Sequence, residues 1–312
     1  MALKVSAPPA AALPSTRQLN DWNQRSDRPG WIQTAGHLSL ILISGWIWGR
    51  GDLPLPVRLS ALVLLGLGLA FGFCAMHECG HRTAFASRRL NDAVAWWAGV
   101  LSFYNADFYR RYHQWHHRFT HQVGLDPELE DAPPTTLGAY LLELSGLPWW
   151  WGKLRTHPQC LNGSIVQRPY MSSEAIPGVR RSVALQLAVY GALALASIPG
   201  GNGFLLWFWL LPLALGQPLL RFVLMAEHNG CALGPDVLAN TRTTLTAAPL
   251  RWLMWNMPFH SEHHLYPSLP FHVLARAHQQ LAPGLHHCDP GYLAVHRRFL
   301  ADLNALAVPR PR

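Results

Sequence analysis

Charged side chains are scarce in this chain. Lysine, arginine, aspartate and glutamate make up 13% of its 312 residues, whereas about a quarter is usual in soluble globular proteins. Apolar residues reach 50%, and tryptophan alone occurs 14 times. So few charges cannot easily cover a folded surface in water, and the apolar content is too high for a disordered chain. The composition therefore favours an integral membrane protein over an ordinary cytosolic enzyme.

Several other patterns are missing. The five cysteines are scattered and lack CxxC spacing, so neither a disulfide framework nor a zinc ribbon is expected. No nucleic-acid motif accompanies the net charge of +8, so no nucleic-acid partner is expected. Residues 1–28 lack a basic segment followed by an apolar core. We expect them to form a flexible N-terminal arm and not a cleaved signal peptide.

Three long segments contain no charged residue, namely residues 29–49, 59–76 and 182–220. A helix needs about 20 apolar residues to cross the hydrocarbon core of a bilayer. The third segment is long enough for two crossings and is interrupted by Pro199-Gly200-Gly201-Asn202-Gly203. The sequence thus predicts an all-α integral membrane protein with four transmembrane helices in two hairpins. Residues 93–106 and 137–151 are interpreted as helices that lie on the membrane surface.

The basic residues are distributed asymmetrically about these predicted spans. Twenty-three of the 25 lysines and arginines fall on one side. The positive-inside rule then places both termini and the long middle segment in the cytoplasm. We expect a membrane domain with a cytoplasmic helical cap over residues 29–285, followed by a C-terminal tail over residues 286–312.

Histidine is the most informative residue type, with 17 copies. Eight of them stand in three short strings, which we call the histidine boxes. On a helix, spacings of three and four residues place side chains on one face, about 5–6 Å apart at Cβ. An even number of predicted spans separates the boxes, so all three face the cytoplasm. The boxes are His77-Glu78-Cys79-Gly80-His81, His113-Gln114-Trp115-His116-His117 and His260-Ser261-Glu262-His263-His264.

Crowded imidazoles repel one another whenever they are protonated, and a cation bound by their neutral nitrogen atoms removes this difficulty. The number of imidazoles exceeds what one ion needs, which indicates two metal ions. His228 follows the fourth predicted span on the same side. An alternative stays open, because His77-Glu78-Cys79-Gly80-His81 also matches the HExxH signature of zinc proteases. That alternative leaves the second and third boxes unused.

The ordered set of boxes, with four spans in two hairpins, resembles the membrane fatty acid desaturase family and its related hydroxylases, ketolases and alkane monooxygenases. The similarity extends over about residues 56–281. It includes the string HQWHHRFTH from His113, followed by Asp126-Pro127-Glu128, and the string WNMPFHSEHHLYPSLPF from Trp255. These longer strings look like those of bacterial acyl-chain desaturases, so a bacterial inner membrane is the expected location.

The resemblance implies a di-iron centre and O₂ as co-substrate. The box histidines and His228 match the family's ligands, while Leu224 stands where the stearoyl-CoA branch has an assisting asparagine. A fused haem-binding signature is not seen, so a separate electron donor is implied: a ferredoxin, rubredoxin or cytochrome with its reductase. The implied metal ligands are His77, His81, His113, His116, His117, His228, His260, His263 and His264.

The expected reaction is oxygen-dependent desaturation of a fatty acyl chain or similar lipid. Removing hydrogen from an unactivated methylene pair requires a redox metal, which zinc is not. A hydroxylase or ketolase on a lipid or hydrocarbon is the closest alternative. Four carboxylates are candidates for orienting ligand imidazoles: Glu78, Asp107, Glu227 and Glu262. Five arginines are candidates for binding an acyl head group: Arg110, Arg111, Arg118, Arg180 and Arg181.

Overall fold

A computed structural model describes residues 13–131, 133–198 and 203–307 of the chain, and these residues are mostly helical. The α-helices are α1 Thr16–Trp22, α2 Asp27–Gly49, α3 Leu55–Gly80, α4 Arg88–Ser102, α5 Ala106–Phe119, α6 Leu137–Leu144, α7 Leu147–Asn162, α8 Ile176–Ser197, α9 Leu211–His228, α10 Val237–Asn240, α11 Ala248–Leu253, α12 His260–Leu265, α13 Leu274–Leu281 and α14 Tyr292–Ala307. A π-helical turn, Leu206–Leu210, leads directly into α9. Short 3-10 turns occupy Pro127–Leu129, Ser164–Gln167, Phe271–Val273 and Ala282–Gly284, and the strands β1 Thr243–Thr244 and β2 Cys288–Asp289 pair in parallel.

Helix α3 is the centre of the bundle, and almost all of its residues beyond Leu65 are buried. Helices α2, α4 and α9 pack along it. Two hydrogen bonds fix the direction of α2. The Ser87 N–H donates to Asp27 over 3.0 Å at one end, and Trp48 Nε1 donates to the Trp207 carbonyl over 3.0 Å at the other. Helices α2 and α3 are therefore antiparallel, and the C-terminal ends of α3 and α9 lie at the same end of the bundle.

The packing of α3 on α9 depends on a close backbone approach. A Cβ atom on Gly216 would lie 2.1 Å from the Gly66 carbonyl oxygen, and one on Gly66 would lie 2.3 Å from the Pro212 carbonyl oxygen. Both distances are far inside van der Waals contact, so only glycine fits at this crossing.

Three helices are long and apolar enough to cross a membrane: Leu55–Gly80, Ile176–Ser197 and Leu206–His228. They correspond to the second, third and fourth predicted spans, and most of the predicted turn at 199–203 lies outside the described residues. The first predicted span forms the 23-residue helix α2, which is less apolar. Its polar groups are buried against the protein: Gln33 donates to the Trp252 carbonyl over 2.6 Å, and His37 Nε2 lies 2.7 Å from the Gly68 carbonyl oxygen.

The segments predicted to lie on the membrane surface are helical, but each belongs to two helices. Phe103 has a left-handed backbone (φ 64°) that ends α4, and the Asn105 side chain then caps α5. Gly146 (φ 74°) separates α6 from α7 in the same way. Helices α6 and α7 expose large apolar side chains: Leu137, Leu141, Leu142, Leu147, Trp151 and Leu154.

Both terminal regions contain packed elements. Helix α1 lies within the expected flexible arm, where Ser15 and Gln18 form a reciprocal cap, and Trp22 is 3% exposed. At positions 16–22 the structure thus differs from the expectation, because this tryptophan finds an apolar cluster around Leu274. Residues 1–12 lie outside the described part. In the C-terminal region, β2 pairs with β1, and His296 of α14 lies 2.9 Å from the Tyr140 hydroxyl.

Candidate metal centre

The first box forms the C-terminal end of α3. The charge-free segment ends at Met76, but the helix continues to Gly80, so His77 belongs to its last turn and His81 caps it. Charge alone predicted that the box follows the end of the span. In the structure, the box instead forms the end of the helix. The reason is burial, because Glu78 is fully buried within the protein and the helix gains nothing by ending before it.

The second and third boxes come from α5 and α12. Helix α5 presents His113, His116 and His117 at the expected helical spacing. Before α12 the chain reverses through two consecutive left-handed residues, Trp255 (φ 53°) and Asn256 (φ 58°). Such a conformation is unfavourable for these residues. It is held because Trp255 is buried and the Asn256 side chain donates to the Phe271 carbonyl over 3.0 Å.

Five imidazoles from the three boxes converge on one point, with one ring nitrogen of each within 4.8 Å of the others. The rings of His77 and His113 are 4.4 Å apart, and those of His81 and His263 are 4.6 Å apart. We call this set the five-histidine group: His77, His81, His113, His117 and His263.

A second set, the three-histidine group, consists of His116, His228 and His264, again with ring nitrogens within 4.8 Å of one another. His260 adjoins this group, since its Nε2 lies 2.8 Å from Nε2 of His228. The two groups are neighbours, because the rings of His117 and His264 stack at 4.1 Å. The structure thus brings together all nine histidines that were predicted as ligands.

These rings fit a metal centre by a test that does not depend on resemblance. Buried ring nitrogens almost always have a hydrogen-bond partner, and leaving one without a partner costs about 1–3 kcal/mol. Here eight of the nine imidazoles present a buried nitrogen without one. A metal ion can bind one nitrogen of each ring, so ions between the rings would satisfy many of these atoms. The atoms are Nε2 of His77, His81, His116, His263 and His264, and Nδ1 of His113, His117, His260 and His263.

The electrostatics of the rings agree with metal ligation. Burial and the neighbouring imidazoles lower the pKa of six box histidines. These rings are therefore neutral, as metal ligands must be. His116 differs: burial opposes its protonation, but Glu128 and Asp126 together raise its pKa above the ordinary value. The six rings with a lowered pKa are His81, His113, His117, His260, His263 and His264.

Several groups orient the ligand rings, and sequence analysis identified one of them. Glu78 lies 3.1 Å from His77 Nδ1. The others were missed, although each fixes a ring of the three-histidine group by contacting its Nδ1. They are Asp126 at 2.9 Å from His116, the Asn240 carbonyl at 3.0 Å from His228 and the Thr120 hydroxyl at 3.2 Å from His264.

The other predicted carboxylates have different contacts. Glu262 pairs with His278 and Thr243 and contacts no box imidazole among the described residues. Asp107 is 43% exposed and lies 3.8 Å from Arg110. Glu227 comes within 3.7 Å of His260 Nδ1, which is too long for a hydrogen bond. The spacing of residues along a helix could not predict which carboxylates would contact the box imidazoles from other parts of the fold.

Glu128 is a further carboxylate that sequence analysis did not single out. One of its oxygens lies within 4.8 Å of ring nitrogens of His113 and His116, so these three residues form another set that could hold a cation. Its Oε2 is 3.7 Å from His116 Nδ1. Desolvation by the surrounding protein raises the pKa of Glu128. The only sequence signal near this residue was the resemblance of the string Asp126-Pro127-Glu128 to the desaturase family.

The arginines predicted to bind a head group are not gathered at the histidines. Arg110 uses its guanidinium internally, where it donates to Asp92 over 2.7 Å and to the Gly80 carbonyl over 3.0 Å. Arg118 stacks on Phe119, with its guanidinium carbon 5.2 Å from the ring centre. These contacts give Arg110 a role in holding the first box in place.

A cavity of about 490 Å³ reaches the histidine groups. Its wall includes His113, His116, His228 and His260, and also Glu128. The remaining lining is largely aromatic and apolar, with charged side chains of both signs: Glu130, Asp131, Glu143, Lys153, Arg168, Arg221 and Glu227. Pockets of this size accommodate small molecules.

Comparison with known proteins agrees with this architecture. The family profile described as fatty acid desaturase matches residues 54–297. The chain belongs to the fatty acid desaturase family. Proteins of this family are membrane oxidoreductases that act on acyl lipids. The isolated zinc-protease site is not supported, because its two histidines share one group with three others.

Named relatives are distant. The chain is 26% identical to the sphingolipid delta(4)-desaturase/C4-monooxygenase of Mus musculus over 68% of its length, and 23% identical to the sn-1 oleoyl-lipid 12-desaturase of Anabaena variabilis over 85%. It is 25% identical to fatty acid desaturase 3 of Bos taurus over 77%. The matches span 64%, 67% and 59% of those proteins, respectively.

Proposed function

We propose that this chain is an oxygen-dependent di-iron desaturase that introduces a double bond into a fatty acyl chain or a similar lipid. The observation that carries the proposal is the convergence of nine imidazoles, most of which present a buried nitrogen without a hydrogen-bond partner. In a chain of the fatty acid desaturase family, neutral nitrogen ligands in this number suit two iron ions.

In this proposal the five-histidine group holds one iron, and the three-histidine group with His260 holds the other. Bound iron supplies the redox chemistry that activates O₂ to remove hydrogen from an unactivated methylene pair. The chain's own residues position the ligands. The Nδ1–H groups of His116 and His228 donate to Asp126 and to the Asn240 carbonyl, which leaves each Nε2 free for the metal. The cavity binds the chain to be oxidised and limits the access of water.

We further propose that α2 is a fourth crossing, so that two hairpins place all boxes and both termini in the cytoplasm. Residues 29–49 carry no charge, and α2 runs antiparallel to α3 over the same length. Its polar groups face the protein, while Leu38, Leu42, Ile43 and Trp46 are exposed. The exposed apolar side chains of α6 and α7 suit a position at the cytoplasmic membrane surface. Electrons would come from a separate ferredoxin, rubredoxin or cytochrome.

Oxygen insertion is the second candidate, because the matched mouse protein is named both a desaturase and a C4-monooxygenase. The product separates the two activities. A desaturase product has two hydrogens fewer than its substrate, whereas a hydroxylase product has gained one oxygen atom.

The test combines lipid profiling with metal analysis of the full-length chain. Cells that express the wild-type protein should accumulate an unsaturated lipid, and the purified protein should contain iron. His263→Ala should remove both properties, while the control His286→Ala, at an exposed position outside the boxes, should keep them. Activity that persists in iron-free protein, or in His263→Ala, would contradict the proposal.

A further inference from the structure

Three cations line the cavity that reaches the histidines, and one of them, Arg168, is paired with Glu130. The other two, Lys153 of α7 and Arg221 of α9, converge on one tyrosine. The Lys153 ammonium lies 3.7 Å from the centre of the Tyr104 ring, and Arg221 Nη2 donates to the Tyr104 hydroxyl over 2.7 Å. Because this hydroxyl accepts from Arg221, its own proton is free to be donated to a ligand.

Neither Lys153 nor Arg221 has an anionic partner among the residues that the structure describes. No carboxylate there forms an ion pair with Lys153 or Arg221, and Arg221 Nε is buried without a hydrogen-bond partner. Glu128 and Glu227 also line the cavity and interact electrostatically with Arg221, but neither carboxylate forms an ion pair with Arg221 among the described residues. A cation that is partly removed from water and has no anionic partner is costly, and inside a membrane helix such a cation usually indicates a functional site.

The two cations also oppose each other. Burial, together with the charge of Arg221, lowers the pKa of Lys153 to about 7. An anion bound between them would remove this repulsion and would supply the missing partner for both side chains.

The cations lie on the path to the histidines. Arg221, Leu224 and His228 all line the cavity from the same face of α9. Seven residues of helix separate the first from the last, which corresponds to about 10 Å along the axis at 1.5 Å per residue. On α3 and α5, Phe73 and Tyr109 continue the wall between Tyr104 and the box histidines, with the Phe73 and Tyr104 rings 4.8 Å apart.

We propose that Lys153, Arg221 and Tyr104 bind the anionic head group, a carboxylate or a phosphate ester, of a single-chain amphiphile whose apolar chain extends along the cavity to the histidine groups. This inference rests on the proposed desaturase function and deepens it by naming the substrate class. Lys153, Arg221 and Tyr104 thus take the head-group role that the sequence suggested for other arginines. The reacting carbons of the substrate would lie within about 10 Å of its charged head.

The experiment uses the chemistry of Lys153, which is the only lysine among the described residues and one of two in the sequence. The full-length chain in phosphatidylcholine nanodiscs is labelled with a trace of acetic anhydride, and labelling of Lys153 is compared with that of Lys4 in the same sample by mass spectrometry. The probes are dodecanoate, dodecyl phosphate, dodecanol and inorganic phosphate.

We expect dodecanoate or dodecyl phosphate, at ten times its dissociation constant, to slow labelling of Lys153 about tenfold by occupancy of the site. Whichever of the two protects at lower concentration identifies the head group as carboxylate or phosphate. Equal protection by dodecanol would show that the cavity is merely filled, and equal protection by inorganic phosphate would show that no chain is required. Either result, or no protection by any anion, would overturn the proposal.

Variants separate this site from the metal centre. Arg221→Gln should weaken protection by about tenfold, because it removes one charge-assisted contact, while Arg221→Lys should retain most of it. Arg155→Gln, on the exposed side of the same helix as Lys153, should behave like wild type. If iron and desaturation are present without protection, the head-group proposal is wrong and the proposed function stands. If protection is seen in a protein that holds iron but never desaturates, the proposed function is wrong and the head-group site stands.

Discussion

The two histidine groups hold their rings in different ways. In the five-histidine group, the Glu78 carboxylate lies 3.1 Å from His77 and 4.0 Å from His263. In the three-histidine group every ring has a partner of its own, from Asp126, Thr120 and the backbone of residue 240. For metal binding, the five-histidine group would therefore rely on the number of its nitrogen atoms. The three-histidine group would rely on the fixed orientation of fewer rings.

This difference has a chemical consequence. The three-histidine group with His260 offers four rings and the other group offers five, so the smaller set leaves more coordination positions open, which is typical of catalytic metal sites. The cavity touches His116, His228 and His260, together with Glu128, and it also reaches His77 and His113 of the five-histidine group. We therefore infer that the three-histidine group is the more sensitive of the two to substitution.

The largest expected effect is the loss of a ligand from the smaller group. His228→Ala should reduce the iron content of the purified protein to about one ion per chain and abolish turnover, because only three rings, including that of His260, would remain around the second ion. His81→Ala leaves four rings in the five-histidine group and should lose less iron under the same conditions. Iron is measured by mass spectrometry of the metal against protein concentration. Equal losses in the two variants would remove the distinction between the groups.

The next effect concerns orientation. Asp126→Asn should weaken metal retention by about 10- to 100-fold, because the partner of His116 no longer carries a negative charge. Competition with a chelator measures the change. Asp236→Asn is the control, since Asp236 caps the short helix α10 and is exposed. If Glu78→Gln proves more damaging than Asp126→Asn, then it is the five-histidine group that depends on orientation.

Sequence reasoning predicted which histidines come together, because their spacing of three and four residues is a local property of a helix. It missed their partners, because these contacts connect distant parts of the chain: Thr120 and His264 are 144 residues apart. No pattern within α5 could indicate which residue of α12 would lie beside it.

Charge patterns had a similar limit. Arg221 ended the last charge-free segment, so the predicted span stopped at Leu220, yet the helix continues to His228. A cation that faces an internal cavity does not prevent a helix from spanning, but hydropathy cannot distinguish it from a cation in water. The polar residues of α2 have a related effect. They lower the hydropathy of the helix, although they are hydrogen-bonded inside the protein.

A moderate effect is expected from acid on the iron-free protein. Six box imidazoles have a lowered pKa, whereas in the unfolded chain they titrate near 6.5. Below that pH the unfolded state binds more protons than the folded state, so the free energy of unfolding decreases as the pH falls. His116, whose pKa is raised, acts in the opposite direction but is a single group.

We therefore expect the melting temperature of the iron-free protein to decrease by several degrees between about pH 7.5 and 5.5. Four of the six rings belong to the five-histidine group, so His81→Leu should flatten this pH dependence slightly. Scanning fluorimetry in nanodiscs provides the measurement. A melting temperature that rises on acidification would show that the rings are not held neutral.

The smallest effect is expected at Arg110. Arg110→Ala removes hydrogen bonds to Asp92 and to the Gly80 carbonyl, beside the first box, and should cost about 1–3 kcal/mol of stability. Substrate KM should stay unchanged, because these donors are already used within the protein. A raised KM with an unaltered melting temperature would instead favour a head-group role for this arginine.

The glycine crossing of α3 and α9 determines how far apart the first box and His228 can be. Gly66 precedes His77 by 11 residues and Gly216 precedes His228 by 12, so each histidine lies about 17 Å from the contact along its helix. A methyl group added at either glycine must push the two backbones apart or tilt them. In the proposed enzyme, the distance between the two histidine groups would then depend on the absence of a side chain at two positions that touch neither group.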